Sequence, residues 1–204
     1  MKDINATVMV DLTPSKEEIF KNLQKDARWG IKKAMKEGLI VEEAKDEKSW
    51  NEFYKIYKEE IGEKSKIETL EHVKKYGDVL FICKKDNKII AGATLDLDGG
   101  LDNSPKLSRN ASLREYLYLQ PNNLLYWKCI EWCKDNGYEK FDLGGWQIKA
   151  KGNLIGVNQF KERWGKVVYY EKDYPFFKAI GRKLVRNFGF FSWLSKKIKK
   201  IKAD

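Results

Sequence analysis

The sequence predicts an α+β domain in which a mixed, mostly antiparallel sheet is flanked by helices. Two observations carry that expectation. Hydropathy switches between a period of two and a period near 3.6, so that residues 39–170 read β-α-α-β-β-β-α-β-α-β. Hydrophobic residues are 42% of the 204 and aromatics 13%, enough to bury a core and too much for a disordered chain. No internal repeat or low-complexity linker interrupts the pattern.

The elements follow in order. Ala6-Thr7-Val8-Met9-Val10-Asp11 is β-branched and alternating, hence a strand. Thr13-Pro14-Ser15-Lys16-Glu17-Glu18 opens a helix with a hydroxyl cap, a proline in the first turn and acids at the positive end of the dipole. Ile19, Leu23 and either Trp29 or Ile31 continue the apolar stripe through one or two helices, closed by Gly38. Residues 39–43 form a strand. Ser49-Trp50-Asn51-Glu52 reads as a capping box ahead of Phe53, Ile56, Tyr57 and Ile61, and a second short helix carries Ile67, Leu70 and Val73. Residues 79–83 and 88–95 flank the turn Asp86-Asn87 as a hairpin. After a loop rich in Gly, Asp and Ser, a strand is expected around 111–119. Pro121-Asn122-Asn123 then starts a helix ended by Gly137. A strand over 138–143, a short helix over 156–164 and a strand over 166–170 complete the series. The organisation expected is an N-terminal strand-helix extension (1–38), a central domain (39–174) and basic amphipathic C-terminal helices (175–204).

Charge is distributed unevenly. Residues 1–150 hold 26 basic and 26 acidic side chains, whereas 151–204 hold 14 basic and four acidic, the whole excess of +10. The basic character thus describes one end of the chain. No apolar run is long enough to span a bilayer, and the first residues have no apolar segment of the signal-peptide kind. Cys83, Cys129 and Cys133 lack the paired spacing of a zinc site, so reduced thiols in a cytoplasmic protein are expected. His72 is the single histidine and sits on a polar helix, which leaves nucleophilic Ser/His or Cys/His schemes without a second histidine.

Three segments stand out together. The first runs from Val10-Asp11-Leu12 to Arg28-Trp29-Gly30-Ile31-Lys32-Lys33-Ala34-Met35-Lys36-Glu37-Gly38. The second is Asn123-Leu124-Leu125-Tyr126-Trp127 with Gly137-Tyr138 and Phe141-Asp142-Leu143-Gly144-Gly145. The third is Asn158-Gln159-Phe160-Lys161-Glu162-Arg163-Trp164-Gly165. In this order they resemble the FemABX family, aminoacyl-tRNA-dependent transferases of cell-wall peptide bridges, and the element order is that of the GNAT-like domains from which the family is built. The third segment is similar to the family's Phe-Lys-x-x-Phe-Gly, with Trp for the second Phe. Members usually have two such domains; this sequence has room for one, and the helical-hairpin arm of some members is missing, which bears on the acceptor.

The resemblance implies attack of an amine on an aminoacyl-tRNA ester, an already activated bond that calls for no metal or cofactor. It points to Lys161 as the cation for the reacting carbonyl or the tRNA end; the plain alternative is a solvated helix lysine. Asp142 fits either a base for the amine or a turn aspartate. Phe160 and Trp164, four apart, fit a core pair or a base-stacking platform, with Tyr126 as a further substrate contact. Arg28, Lys32, Lys33 and Lys36 fit phosphate contacts or a charged solvent face. A CoA-dependent N-acyltransferase is the other enzyme reading, but Leu119-Gln120-Pro121-Asn122-Asn123-Leu124 lacks the glycines of a pyrophosphate cradle.

From Phe177 to Lys202 apolar residues recur every three or four positions among lysines and arginines. That pattern suits an anionic membrane surface at the inner face of the membrane, tRNA phosphates, or a packed terminal helix. A non-catalytic module binding tRNA, membrane or a partner chain, and a homodimer restoring a two-domain arrangement, are the further readings.

Overall fold

In Val79-Leu80-Phe81-Ile82-Cys83 every side chain is apolar because the strand is buried on both faces: Val79, Phe81 and Cys83 enter one core cluster, Leu80 and Ile82 the other. The computed structural model describes residues 2–62 and 68–173 and builds a seven-stranded sheet around this strand. The strands are β1 (Lys2–Asp11), β2 (Ile40–Ala44), β3 (Val79–Lys85), β4 (Lys88–Asp96), β5 (Lys106–Ser112), β6 (Lys140–Gly145) and β7 (Lys166–Asp173). Their order is β2-β3-β4-β5-β6-β1-β7. The helices are α1 (Lys16–Asn22), α2 (Lys25–Lys36), α3 (Glu47–Ile61), α4 (Leu70–Lys75), α5 (Pro121–Asp135) and α6 (Asn153–Glu162). Ala6–Val168 form one compact unit; residues 2–5 and 169–173, the outer ends of β1 and β7, group separately.

The larger core cluster joins β1, α1, α2 and α5 to one face of the sheet; α3 and Val73 of α4 cover the other. Gly30 lets α2 approach α5 closely, since a Cβ there would lie 2.5 Å from Asn123 Cγ. No helix among the described residues is long and apolar enough to cross a membrane.

Several local expectations change. The cap of α1 is Ser15, in a full capping box with Glu18, and Pro14 precedes it; Thr13 instead donates to Asp11 Oδ1. Helix α3 begins three residues early, capped by Asp46, and the Ser49 hydroxyl bonds back to that carboxylate. Trp29 is 56% exposed and Ile31 is the buried member of the stripe. The strand expected at 111–119 ends at Ser112: the Leu113 amide closes the ladder on the Ile90 carbonyl, and Arg114–Leu119 coil into a 3₁₀ turn. The expectations for Ile67 and for helices over 175–204 fall outside the described residues.

Candidate active site

The sheet is antiparallel at every recorded pairing except one. β5 and β6 run parallel and meet at a single pair, Lys106 and Asp142. Beyond it β5 continues beside β4 and β6 beside β1, so the strands part into a V at their carboxyl ends. A bulge at Ser108, which has no partner opposite Thr94–Leu95, reverses the alternation along β5. Leu107 therefore faces the α5 side, Arg109 and Ala111 the α3 side, and Asn110 and Ser112 point to Asn122 at the start of α5.

Lys161, on α6, lies at the β6 wall. It is half-buried, its Nζ donates to the Gly145 carbonyl at 3.0 Å, and it makes no ion pair among the described residues. Burial pulls its ammonium down to about 8; Asp142 opposes the drop and Lys106 adds to it. Gly144 lies between the two lysines at φ +77°, and a Cβ there would stand 3.6 Å from Lys161 Nζ and 3.7 Å from Lys106 Cε. Two cations thus flank a side-chain-free stretch of backbone where the V begins to open.

Asp142 supports this wall from beneath. It is 4% exposed; Oδ1 accepts from the Thr7 hydroxyl and from the Gly144 amide at 2.7 Å, and Oδ2 accepts from the Leu101 amide at 3.0 Å. Its two oxygens tie β1, the loop before β5 and the Gly144 turn together.

Tyr126, Phe160 and Trp164 pack against one another next to Lys161. Their ring centroids lie 5.1 Å (Tyr126–Phe160), 5.5 Å (Tyr126–Trp164) and 6.1 Å (Phe160–Trp164) apart. Tyr126 and Trp164 are buried and Phe160 packs against the main core. The Trp164 indole N–H has no hydrogen-bond partner among the described residues. Burial raises the Tyr126 hydroxyl, with Cys129 and Glu60 contributing.

The opposite wall is polar. The Ser112 hydroxyl and the Asn110 amide donate to Asn122 Oδ1 at 2.7 and 3.1 Å, and the Ser112 backbone N–H donates to Glu60 at 2.7 Å. Desolvation raises the Glu60 carboxylate, with the Ser112 N–H and Arg114 opposing.

The structure therefore brings Lys161, Asp142, Tyr126, Phe160 and Trp164 together. The α2 cations make contacts of their own or face solvent. Arg28 caps the end of α1 through the Lys21 and Leu23 carbonyls, Lys32 Nζ lies 6.0 Å from the Phe20 ring, and Lys36 is exposed. Lys106, Thr7, Glu60 and Asn122 belong to the site's walls without having been singled out in sequence; each is a common polar residue, placed by the long-range pairing of β5 with β6 and of α3 with β5.

An open sheet with this order and a parallel pair that splays is a GNAT-like fold. A family described as acetyltransferase (GNAT) domain matches residues 104–162, the stretch holding β5, α5, β6 and α6. FemX is similar over 82% of this chain and 60% of its own, at 15% identity and a TM-score of 0.66. L-PGS from Bacillus licheniformis is similar over 90% and 65%, at 16% identity and a TM-score of 0.57. The glucosamine N-acetyltransferase region of a fungal multi-domain beta-N-acetylglucosaminidase is similar over 83% and 20%, at 13% identity and a TM-score of 0.55. The chain spans about three fifths of the length of FemX. No curated protein matches the sequence.

Proposed function

We propose that the protein is an aminoacyltransferase that moves an amino acid from aminoacyl-tRNA to an amine of a cell-wall peptide or a related, lipid-linked acceptor. The observation that carries this reading is Lys161: a half-buried ammonium with no ion pair among the described residues, at the point where β5 and β6 part. An acyl ester is activated already, so the demands on the protein are orientation and stabilisation of the charge that develops on the carbonyl oxygen. The acceptor amine attacks the ester carbon, the Lys161 ammonium faces the oxyanion, and the ribose oxygen leaves; an amide bond forms, an ester bond breaks, and the amine's proton ends on the departing hydroxyl.

Lys106 is the second cation of that wall, and Asp142 is a positioning residue that holds the Gly144 turn. Phe160, backed by the buried Tyr126 and Trp164, is the ring against which the aminoacyl end rests. Lys32 and Lys36, with Arg28 steadying the joint between α1 and α2, serve the tRNA backbone. The likeness to FemX supports an aminoacyl donor. A CoA donor needs amides at the start of α5, where Pro121 has none and the Asn123 N–H is taken by the Gln120 carbonyl at 3.1 Å. In this reading the protein works in the cytoplasm, at the inner face of the membrane.

Transfer from charged tRNAs and from acetyl-CoA to peptide and lipid-linked amines tests the proposal. Product from charged tRNA that disappears in Lys161→Ala supports it; turnover with acetyl-CoA and none with charged tRNA overturns it.

A further inference from the structure

Exposed apolar side chains are not scattered evenly. Of the twelve large hydrophobic residues that are exposed among the described residues, four fall within ten positions: Ile148, Leu154, Ile155 and Val157, each 43–49% exposed. The segment projects as a closed loop. At its base Asn158, 5% exposed, accepts from the Gln147 N–H at 3.0 Å and donates to the Gln147 carbonyl at 2.9 Å. Those two bonds clamp residues 147 and 158 together and leave 148–157 outside as the loop and the opening turns of α6. All of 148–157 except Ala150 is exposed.

The charge of the projection has one sign. No aspartate or glutamate occurs from Leu143 to Lys161, in a chain whose residues are 34% charged, and the projection carries Lys149 and Lys151. Neither lysine forms an ion pair among the described residues. Exposed aliphatic side chains accompanied by two lysines, with no acid in the segment, match a surface that is apolar beneath a layer of negative charge.

We propose that residues 148–157 dock onto an anionic lipid surface. Ile148, Leu154, Ile155 and Val157 enter the headgroup–acyl boundary while Lys149 and Lys151 meet lipid phosphates. Val157 and Lys161 lie four apart on α6, so docking holds the Lys161 cleft about one helical turn from the headgroups. The surface stands on its own geometry; only its meaning for the acceptor rests on the transfer reaction proposed above.

The test uses the full chain with no tRNA or acceptor, so a failure of the transfer reading leaves it untouched. Cys83, Cys129 and Cys133 are buried, so an environment-sensitive dye attaches selectively to Ile155→Cys. The protein is titrated with vesicles of phosphatidylglycerol and phosphatidylcholine, then of phosphatidylcholine alone, each with a shallow nitroxide-labelled lipid as quencher. The expected result is a blue shift and quenching on the anionic vesicles only. Lys149→Gln with Lys151→Gln should weaken that partitioning about 30-fold. Absence of vesicle binding overturns the proposal, as does binding that leaves the dye unquenched, which assigns the contact to another surface. Equal quenching on the neutral vesicles overturns it as well.

Discussion

Two partly buried cations, on opposite faces of the same strand pair, show two uses of charge. Arg109 on β5 grips Glu68 with two hydrogen bonds, Nε to Oε2 and Nη2 to Oε1, both 2.6 Å. The Tyr57 hydroxyl donates to the same carboxylate at 2.8 Å and His72 Nε2 lies 3.3 Å from it. Every charge there has a partner: the Arg109 hydrogen bond holds Glu68 below the usual carboxylate range, and Glu68 in turn raises Arg109. Lys161 has no such partner among the described residues, and its ammonium is pulled down to about 8 by burial. A paired cation braces the sheet against the segment leading into α4. An unpaired one is held at a cost in folding free energy, and the charge it lacks is one a substrate can bring.

Removing the unpaired cation gives the largest effect. Lys161→Ala is expected to lower transfer from charged tRNA about 10²- to 10³-fold, the loss typical of one oxyanion-stabilising donor. Stability moves the other way. The folded pKa of about 8 lies below the ordinary 10.5, so the folded state binds fewer protons than the unfolded one between those values and wild-type stability rises with pH across that window. Lys161→Met removes the dependence and gains roughly 1–3 kcal/mol at pH 7, measured by denaturant titration. A variant that loses activity and stability together breaks the comparison.

Asp142 is expected to show the next largest effect. Its carboxylate accepts from Thr7, Leu101 and Gly144, so Asp142→Ala leaves three donors unmet and should cost about 3–4 kcal/mol; Asp142→Asn, which keeps one acceptor oxygen, should cost less. Arg109→Leu comes below it, at about 1–3 kcal/mol, because the Glu68 side chain it abandons is 28% exposed and regains water. Per folded molecule, Arg109→Leu should transfer as well as the parent. The difference between parent and variant also depends on pH. Glu68 has a depressed folded pKa, so its contribution is complete above the ordinary 4.5 and is lost as pH falls through the lower folded value; the two unfolding curves should converge under acid.

Much of this was legible from periodicity. The two-sided apolar run of β3, the hairpin turn at Asp86-Asn87 and the helix opened by Pro121 are written in local residue types, and Phe160, Lys161 and Trp164 stand in one short motif. The strand end was not legible: Tyr116, Leu117, Tyr118 and Leu119 alternate as a strand would, yet the ladder has already closed at Leu113, and on the 3₁₀ turn Leu117 and Tyr118 face outward while Tyr116 packs against the core. Nor was the structural tie of Asp142, whose partners Thr7 and Leu101 lie 135 and 41 residues away. Arg28 belongs to the basic run of α2, yet its guanidinium bonds the Lys21 and Leu23 carbonyls at the end of α1, a contact that the run itself does not show. Long-range pairing decides such roles, and spacing does not carry it.

The smallest expected effect sharpens the comparison most. If transfer depends on a charged Lys161, activity must fall as pH rises through about 8, because the ammonium loses its proton there. Lys161→Arg, which stays charged, should remove that falling limb even if its overall rate is lower. Lys106 is the like charge across Gly144 and helps to depress Lys161, so Lys106→Gln should move the limb to higher pH without abolishing turnover. Arg109→Leu, acting on the braced side of β5, should leave it in place. A limb that ignores Lys106 and moves with Arg109 would mean that the titrating group is not the lysine at the V, and that the two faces of the sheet are not divided as their charges suggest.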